Sequence, residues 1–354
     1  MWVNQMDKSQ KQKSSPILIF VVALIVILIA TVVSNRRSSI VAQLNLPLNN
    51  GIANLSTCGN LLSAASNDNK IYVWDWTNLS KKPLQGIIES DQAALITPDT
   101  VVSVKRVNPE SVVISGLDAN ETRRELYLPS GPGTAYLGVN QDRSKIVLLL
   151  SRSNNSGAAA KYDLFDVSID TGRVQPILTV DSEPGNVGHL SVSNDGNRVV
   201  VAGERNGQGW MFVADLKEKR LIWQKEMPDF KKIFKAAFSA DGEIIYARGT
   251  DSTLLVLNAG SGEETRRLLS VKENASTYRT LPVQAVVVSR DGNLVAAAVV
   301  STVYIWDTKT GKKLGSLGGG HKVLSSIAIS PDSRLLATSD MRQGGKIKIL
   351  RIPR

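Results

Sequence analysis

Ile71–Asp75 reads IYVWD, and Tyr304–Asp307 reads YIWD. Each is a short run of β-branched and aromatic residues that stops on an acid, as a strand entering a turn does. Four further runs end on Asp or Asn: VVISGLD at Asp118, YDLFD at Asp166, MFVAD at Asp215 and LLVLN at Asn258. A fifth, KIKIL, ends at Leu350, and all these ends fall 43 to 49 residues apart. A second marker keeps the same period. It is a tight turn between apolar runs, found at Thr57-Cys58-Gly59-Asn60, Pro98-Asp99-Thr100, Gln141-Asp142-Arg143-Ser144, Asn194-Asp195-Gly196-Asn197, Ala240-Asp241-Gly242-Glu243, Arg290-Asp291-Gly292-Asn293 and Pro331-Asp332-Ser333-Arg334. Asp-Gly suits the positive φ of a two-residue hairpin. Two markers sharing one period make Ser39–Arg354 an all-β repeat array with no long helical period.

These residues resemble the WD-repeat family. Trp74-Asp75 and Trp306-Asp307 match its dipeptide, and Gly320-His321 matches its glycine-histidine at the right distance before the last repeat. The other repeats depart: Asp166, Asp215 and Asn258 lack the Trp, and His189 is not at the family's histidine position. The resemblance covers 316 residues, or about 45 for each of seven repeats, near the family period. It implies a seven-bladed β-propeller of four-stranded antiparallel blades. A length of 354 residues would suggest two domains at about 150 residues each, but a propeller is one. The Trp-Asp pairs are read as scaffold: the ring fills space between blades and the carboxylate holds a turn.

Ring closure follows from the repeat order. In this family a repeat begins with an outer strand and continues with the three inner strands of the next blade. The last inner strand is Lys346–Ile352, and only Pro353 and Arg354 follow it. The missing outer strand is therefore assigned to Ser39–Leu46, SIVAQLNL, in which Ile40, Ala42, Leu44 and Leu46 alternate with less apolar residues.

Ile17–Val33, ILIFVVALIVILIATVV, is a run of 17 uncharged residues. As a helix it reaches roughly 26 Å, against a bilayer core of about 30 Å, with Ser15, Pro16, Ser34 and Asn35 available for the interface. A cleaved signal peptide would have a shorter apolar run and a small-x-small site, whereas this run ends in Val32-Val33. A buried core helix fits poorly between the charges that bracket it. The expectation is a basic tail over residues 1–15, an uncleaved transmembrane anchor over 16–34, a linker over 35–38 and the propeller over 39–354. Lys8, Lys11 and Lys13 against Arg36-Arg37 lean toward a cytoplasmic N-terminus and a propeller on the other side. The linker is too short to reach round a domain, so the face carrying the Asp-Gly turns is expected to look at the bilayer.

Net charge is +10, which admits an acidic partner or surface. Basic residues recur in the turns that lead into outer strands: Lys81, Lys82, Arg123, Arg124, Arg173, Lys219, Arg220, Arg266, Arg267, Lys312 and Lys313. Two readings stand side by side. One is a membrane-proximal basic ring facing anionic headgroups, at about 1 kcal/mol per charge. The other is protection of exposed edge strands.

Chemistry is sparse. The single Cys58 excludes an internal disulfide framework, and two histidines, His189 and His321, argue against a multi-histidine metal site. Gly318-Gly319-Gly320 precedes a strand rather than a helix, so it does not read as a phosphate loop. There is no Gly-x-Ser-x-Gly, no His-Glu-x-x-His and no Cys-x-x-Cys-His. No catalytic residue, metal or cofactor is assigned. The loops on the face opposite the Asp-Gly turns carry Arg205, Phe230, Lys231, Lys232, Tyr278, Arg279, His321, Lys322 and Arg342, a mixture typical of interface anchors. A protein partner is expected there and nucleic acid is not. The leading expectation is a membrane-anchored, non-catalytic interaction scaffold. The alternative is an enzyme or small-ligand binder that uses the central channel.

Overall fold

The computed structural model describes residues 40–46, 51–88, 92–105, 107–109, 111–117, 124–128, 133–152, 160–249, 253–269, 285–318, 323–340 and 345–353. The chain divides into Met1–Ser39 and Ile40–Arg354. The basic tail, the anchor run Ile17–Val33 and the linker lie outside the described residues. Among the described residues no helix is long and apolar enough to cross a membrane.

The first described strand is β1 (Ile40–Asn45), and the others fall into seven sets. Blade 1 is β2 (Ile52–Cys58), β3 (Leu61–Ser66), β4 (Lys70–Asp75) and β5 (Leu84–Ile87). Blade 2 is β6 (Ala93–Leu95), β7 (Thr100–Val104), β8 (Ser111–Gly116) and β9 (Arg124–Tyr127). Blade 3 is β10 (Thr134–Val139), β11 (Ile146–Arg152), β12 (Ala160–Ser168) and β13 (Arg173–Ser182). Blade 4 is β14 (Asn186–Val192), β15 (Arg198–Arg205), β16 (Gln208–Asp215) and β17 (Arg220–Met227). Blade 5 is β18 (Ile233–Phe238), β19 (Ile244–Gly249), β20 (Thr253–Asn258) and β21 (Glu264–Leu269). Blade 6 is β22 (Ala285–Val288), β23 (Leu294–Val299), β24 (Thr302–Asp307) and β25 (Lys313–Gly318). Blade 7 is β26 (Ser326–Ile329), β27 (Leu335–Ser339) and β28 (Lys346–Arg351), with β1 as its fourth strand. Every blade is a four-stranded antiparallel sheet, so the all-β seven-bladed propeller is the observed fold.

The first turns of blades 4 to 7 are built by one recurring device. In blade 5 the Ser239 hydroxyl donates to Asp241 and accepts the Ile244 N–H at 3.0 Å, while the Gly242 N–H donates to Ser239 O at 3.0 Å. The same bonds join Ser193, Asp195 and Arg198, then Ser289, Asp291 and Leu294, then Ser330, Asp332 and Leu335. The Ser239 hydroxyl holds the Asp241 carboxyl below its ordinary value, and Ser330 does the same for Asp332. The third turn position is left-handed: φ is 73° at Gly196, 74° at Gly242 and 72° at Gly292, where glycine has no Cβ to clash.

Trp74 and Trp306 are buried. Asp75 accepts the N–H and hydroxyl of Thr77, and Asp307 those of Thr310, at 2.7–2.8 Å. The core is not central. Among the described residues it is split into seven clusters, each shared by two adjacent blades, such as Trp210 and Phe212 of blade 4 with Tyr162 and Leu164 of blade 3.

Blades 7 and 1 meet in the same way, with Leu44, Leu46, Ile347 and Ile349 against Ile52, Leu62, Tyr72 and Trp74. The alternation along β1 departs from the sequence pattern at its start. Ile40 and Val41 are 40% and 47% exposed, and Ala42 is half-buried. The reason is a register shift between Ile40 and Ala42, a bulge that turns the first residues outward. Leu44 and Leu46 carry the inward contact. Truncation to Asn49 removes both leucines, each worth about 1.5–3 kcal/mol when buried, and unpairs the edge of β28. A chain beginning at Asn49 is expected to melt well below one beginning at Ser38, or to aggregate; equal melting temperatures would show that β1 contributes nothing to the ring.

Candidate functional site

The inner strands β2, β10, β14, β18, β22 and β26 surround a central cavity of about 260 Å³. Three of them carry a register shift immediately before a polar lining residue: between Ile52 and Asn54, between Val187 and His189, and between Ile233 and Lys235. A bulge adds a residue and re-aims the next side chain. Here Asn54, His189 and Lys235 all line the channel.

The channel chemistry is one-sided. Its described lining includes Arg143, His189, Lys235 and Arg290, with Ser, Thr, Asn and Gln side chains and no Asp or Glu. His189 Nδ1 accepts the Ala236 N–H at 3.4 Å. Burial, helped by the Lys235 charge, holds its imidazole well below the ordinary value, so the ring is neutral near pH 7. Arg143 occupies the third position of the blade 3 turn with φ 68°, where blades 4, 5 and 6 have glycine. Its Nη2 donates to Thr57 O of blade 1 at 2.6 Å, spanning the inner edge of blade 2, whose β6 has only three residues. Cys58 lies beside it and donates to Ile96 O at 3.4 Å; burial pushes its thiol up against the opposing pull of Arg143.

Of the nine residues expected on the face opposite the Asp-Gly turns, four are described, and two of these are buried. Arg205 is 3% exposed and Phe230 2%, so neither stands at an exposed rim. The hairpin after Arg205 reverses over Asn206 and Gly207, with φ of 51° and 76°. That reversal folds β16 back and lays the guanidinium on the Trp210 ring, 4.6 Å from its centroid, with Nη2 on the Ser182 hydroxyl. Phe230 packs between blades 4 and 5 with Ile233, Ala247 and Met211. Gly249 makes room for it, since a Cβ there would collide with the ring. Lys231 is exposed and Lys232 half-buried. Tyr278, Arg279, His321, Lys322 and Arg342 lie outside the described residues.

The basic residues of the turns into the outer strands also divide. Lys81, Lys82, Arg173, Lys219, Arg220 and Lys312 are exposed. Arg124 donates to Ile169 O of the next blade at 3.3 Å and lies against Gly172. Arg266 lies against Gly311 of the next blade in the same manner. Arg267 pairs with Glu264 and Asp229, both at 2.7 Å, and Lys313 sits 4.3 Å from the Tyr304 ring centroid. Arg123 lies outside the described residues. Arg124 and Arg266 thus brace neighbouring blades, as Trp223 does by donating to Ala259 O at 2.8 Å.

Sequence reading passed over Arg143, His189, Lys235 and Arg290. One of them left a signal: Arg143 stands where Gly196, Gly242 and Gly292 stand in the parallel turns. His189 and Lys235 follow bulges, which leave no mark in a single sequence, and Arg290 opens the blade 6 turn.

The family model for the WD domain, G-beta repeat, matches residues 49–75 and 311–349. The two matches cover the first three strands of blade 1 and the span from the last strand of blade 6 into blade 7, and with the seven-bladed ring they support a WD-repeat propeller. A comparison with curated proteins found no match.

The burial of Phe230 sets a stability test. Phe230→Ala is expected to cost about 3–5 kcal/mol in denaturant unfolding. Lys217→Ala, on an exposed turn, is expected to stay within about 0.5 kcal/mol. A surface-like value for Phe230→Ala would return that residue to the rim.

Proposed function

We propose that this protein is a single-pass membrane protein whose propeller is a non-catalytic platform for a protein partner. The observation that carries the reading is the closed seven-bladed ring with WD-repeat matches near both its ends. A WD40 propeller is typically a protein-interaction scaffold. The membrane part rests on the sequence, in the 17-residue apolar run Ile17–Val33 bracketed by Lys13 and Arg36. The propeller then lies on the side away from the cytoplasm, with the Asp-Gly turn face toward the bilayer. Exposed Lys81, Lys82, Arg173, Lys219, Arg220 and Lys312 on that face suit anionic headgroups. The partner binds the opposite face, where Lys231 is exposed.

Two experiments test this reading. Alkaline carbonate is expected to leave the full-length protein in the membrane, and protease added to sealed right-side-out vesicles is expected to digest the propeller. Release by carbonate would remove the anchor, and protection from protease would reverse the orientation. Crosslinking in intact membranes is expected to give a discrete protein adduct that is lost in the Lys231→Glu, Lys232→Glu double variant and kept in Lys312→Glu. An adduct lost only through Lys312→Glu would move the partner to the other face, and no adduct at all would sink the platform.

A further inference from the structure

The channel has a property that a partner docking on a loop face leaves unused. Arg143, Lys235, Arg290 and His189 come from four different blades, and all four line one cavity with no carboxylate in its described lining. Carboxylates stand beside that lining in the turns, each already engaged: Asp142 accepts the N–H and hydroxyl of Ser144, Asp195 the Ser193 hydroxyl and Asp291 the Ser289 hydroxyl. Low-dielectric walls concentrate such a field and raise the local concentration of anions.

Arg143 makes the strongest case. A left-handed backbone is ordinary for glycine and unfavourable for arginine, so the blade 3 turn carries strain that the turns of blades 4, 5 and 6 avoid. Ser333 takes the same conformation at the same position of the blade 7 turn, with φ 57°, so what distinguishes Arg143 is its guanidinium. The conformation delivers a guanidinium to the channel. Nη2 is spent on Thr57 O, and Nε is buried without a hydrogen-bond partner. Around it the bulges of β14 and β18 set His189 and Lys235 into the same cavity. With Nδ1 engaged by the Ala236 N–H, the remaining ring nitrogen, Nε2, is left as a neutral donor.

We propose that the central channel binds a phosphate group, as the free ion or on a small phosphomonoester, through Arg143, Lys235, Arg290 and His189. Guanidinium and ammonium groups with hydroxyl and amide donors are the chemistry that recognises a phosphate. The volume of about 260 Å³ falls just under the roughly 300–1,000 Å³ of sites for drug-sized ligands, which sets the size of the guest. The site is independent of membrane attachment and of the protein partner, so it stands or falls apart from them.

The test is calorimetric titration of the full-length protein in detergent with inorganic phosphate, at ionic strength held constant with chloride. Glycerol 3-phosphate in a second titration separates the free ion from the ester. The expected result is saturable binding, one per chain, weakened at least tenfold in Arg143→Gly and clearly weakened in Arg290→Gln. Arg143→Gly removes the guanidinium while giving the turn the glycine that the other blades have, and melting of the unliganded variant shows whether the ring survives. If that variant fails to fold, Arg290→Gln and Lys235→Gln decide the question, with Lys217→Gln as the unchanged control. Absence of saturable binding, or equal affinity in Arg290→Gln, Lys235→Gln and the parent, would overturn the proposal.

Discussion

The pairing of Ile40–Asn45 with Lys346–Leu350 is the contact on which the ring depends. It joins the first described strand to the last, about as far apart as the chain allows. That pairing completes blade 7, and a seam joins the inner strands of blades 7 and 1. The Leu55 N–H donates to Ser326 Oγ at 2.9 Å, Thr57 Oγ1 to Ile329 O at 2.7 Å, and Ser325 Oγ to Ile52 O at 3.0 Å. Each blade buries its faces only against its neighbours, so an open seam would expose two apolar faces and an unpaired strand edge at once. Blade stability is therefore collective, although every other strand pairing is local in sequence.

Local patterns made most of the architecture readable. The Ser-x-Asp-Gly turns encode their own hydrogen bonds within six residues, so Ser239, Asp241 and Gly242 announce a hairpin without help from any other blade. The Trp-Asp pairs were equally legible, because Asp75 and Asp307 cap turns formed by the next few residues. What a single sequence could not carry was side-chain direction set by a distant blade. Arg205 and Phe230 read as loop residues of an exposed rim, yet Trp210 and Gly249 supply the surfaces that bury them. The exposed Ile40 failed for a related reason: a bulge against β28 breaks the alternation that the sequence of β1 suggests.

The channel shows the same division between local and global. Its basic residues are scattered over nearly 150 residues of chain, from Arg143 to Arg290, two in recurring turns and two on inner strands. Closure brings them together, since the inner strands converge only in a complete ring. Arg143 also ties this chemistry to the seam side of the molecule, because its guanidinium reaches the blade 1 carbonyl of Thr57 across the short β6. A weak blade 2 and a basic channel are thus served by one residue in an unfavourable backbone conformation. The Arg124 and Arg266 contacts show how a repeated charge can belong to blade packing, while their exposed companions Lys81, Lys219 and Lys312 remain available to solvent or to a surface.

Native-state hydrogen exchange on the full-length protein tests the closure most directly. If the β1–β28 pairing holds the ring together, the β1 amides bonded to β28 exchange only through global unfolding, with the same free energy as those of β27. If they exchange through a local opening several kcal/mol cheaper while β27 stays protected, β1 is a loosely attached edge and the ring holds without it.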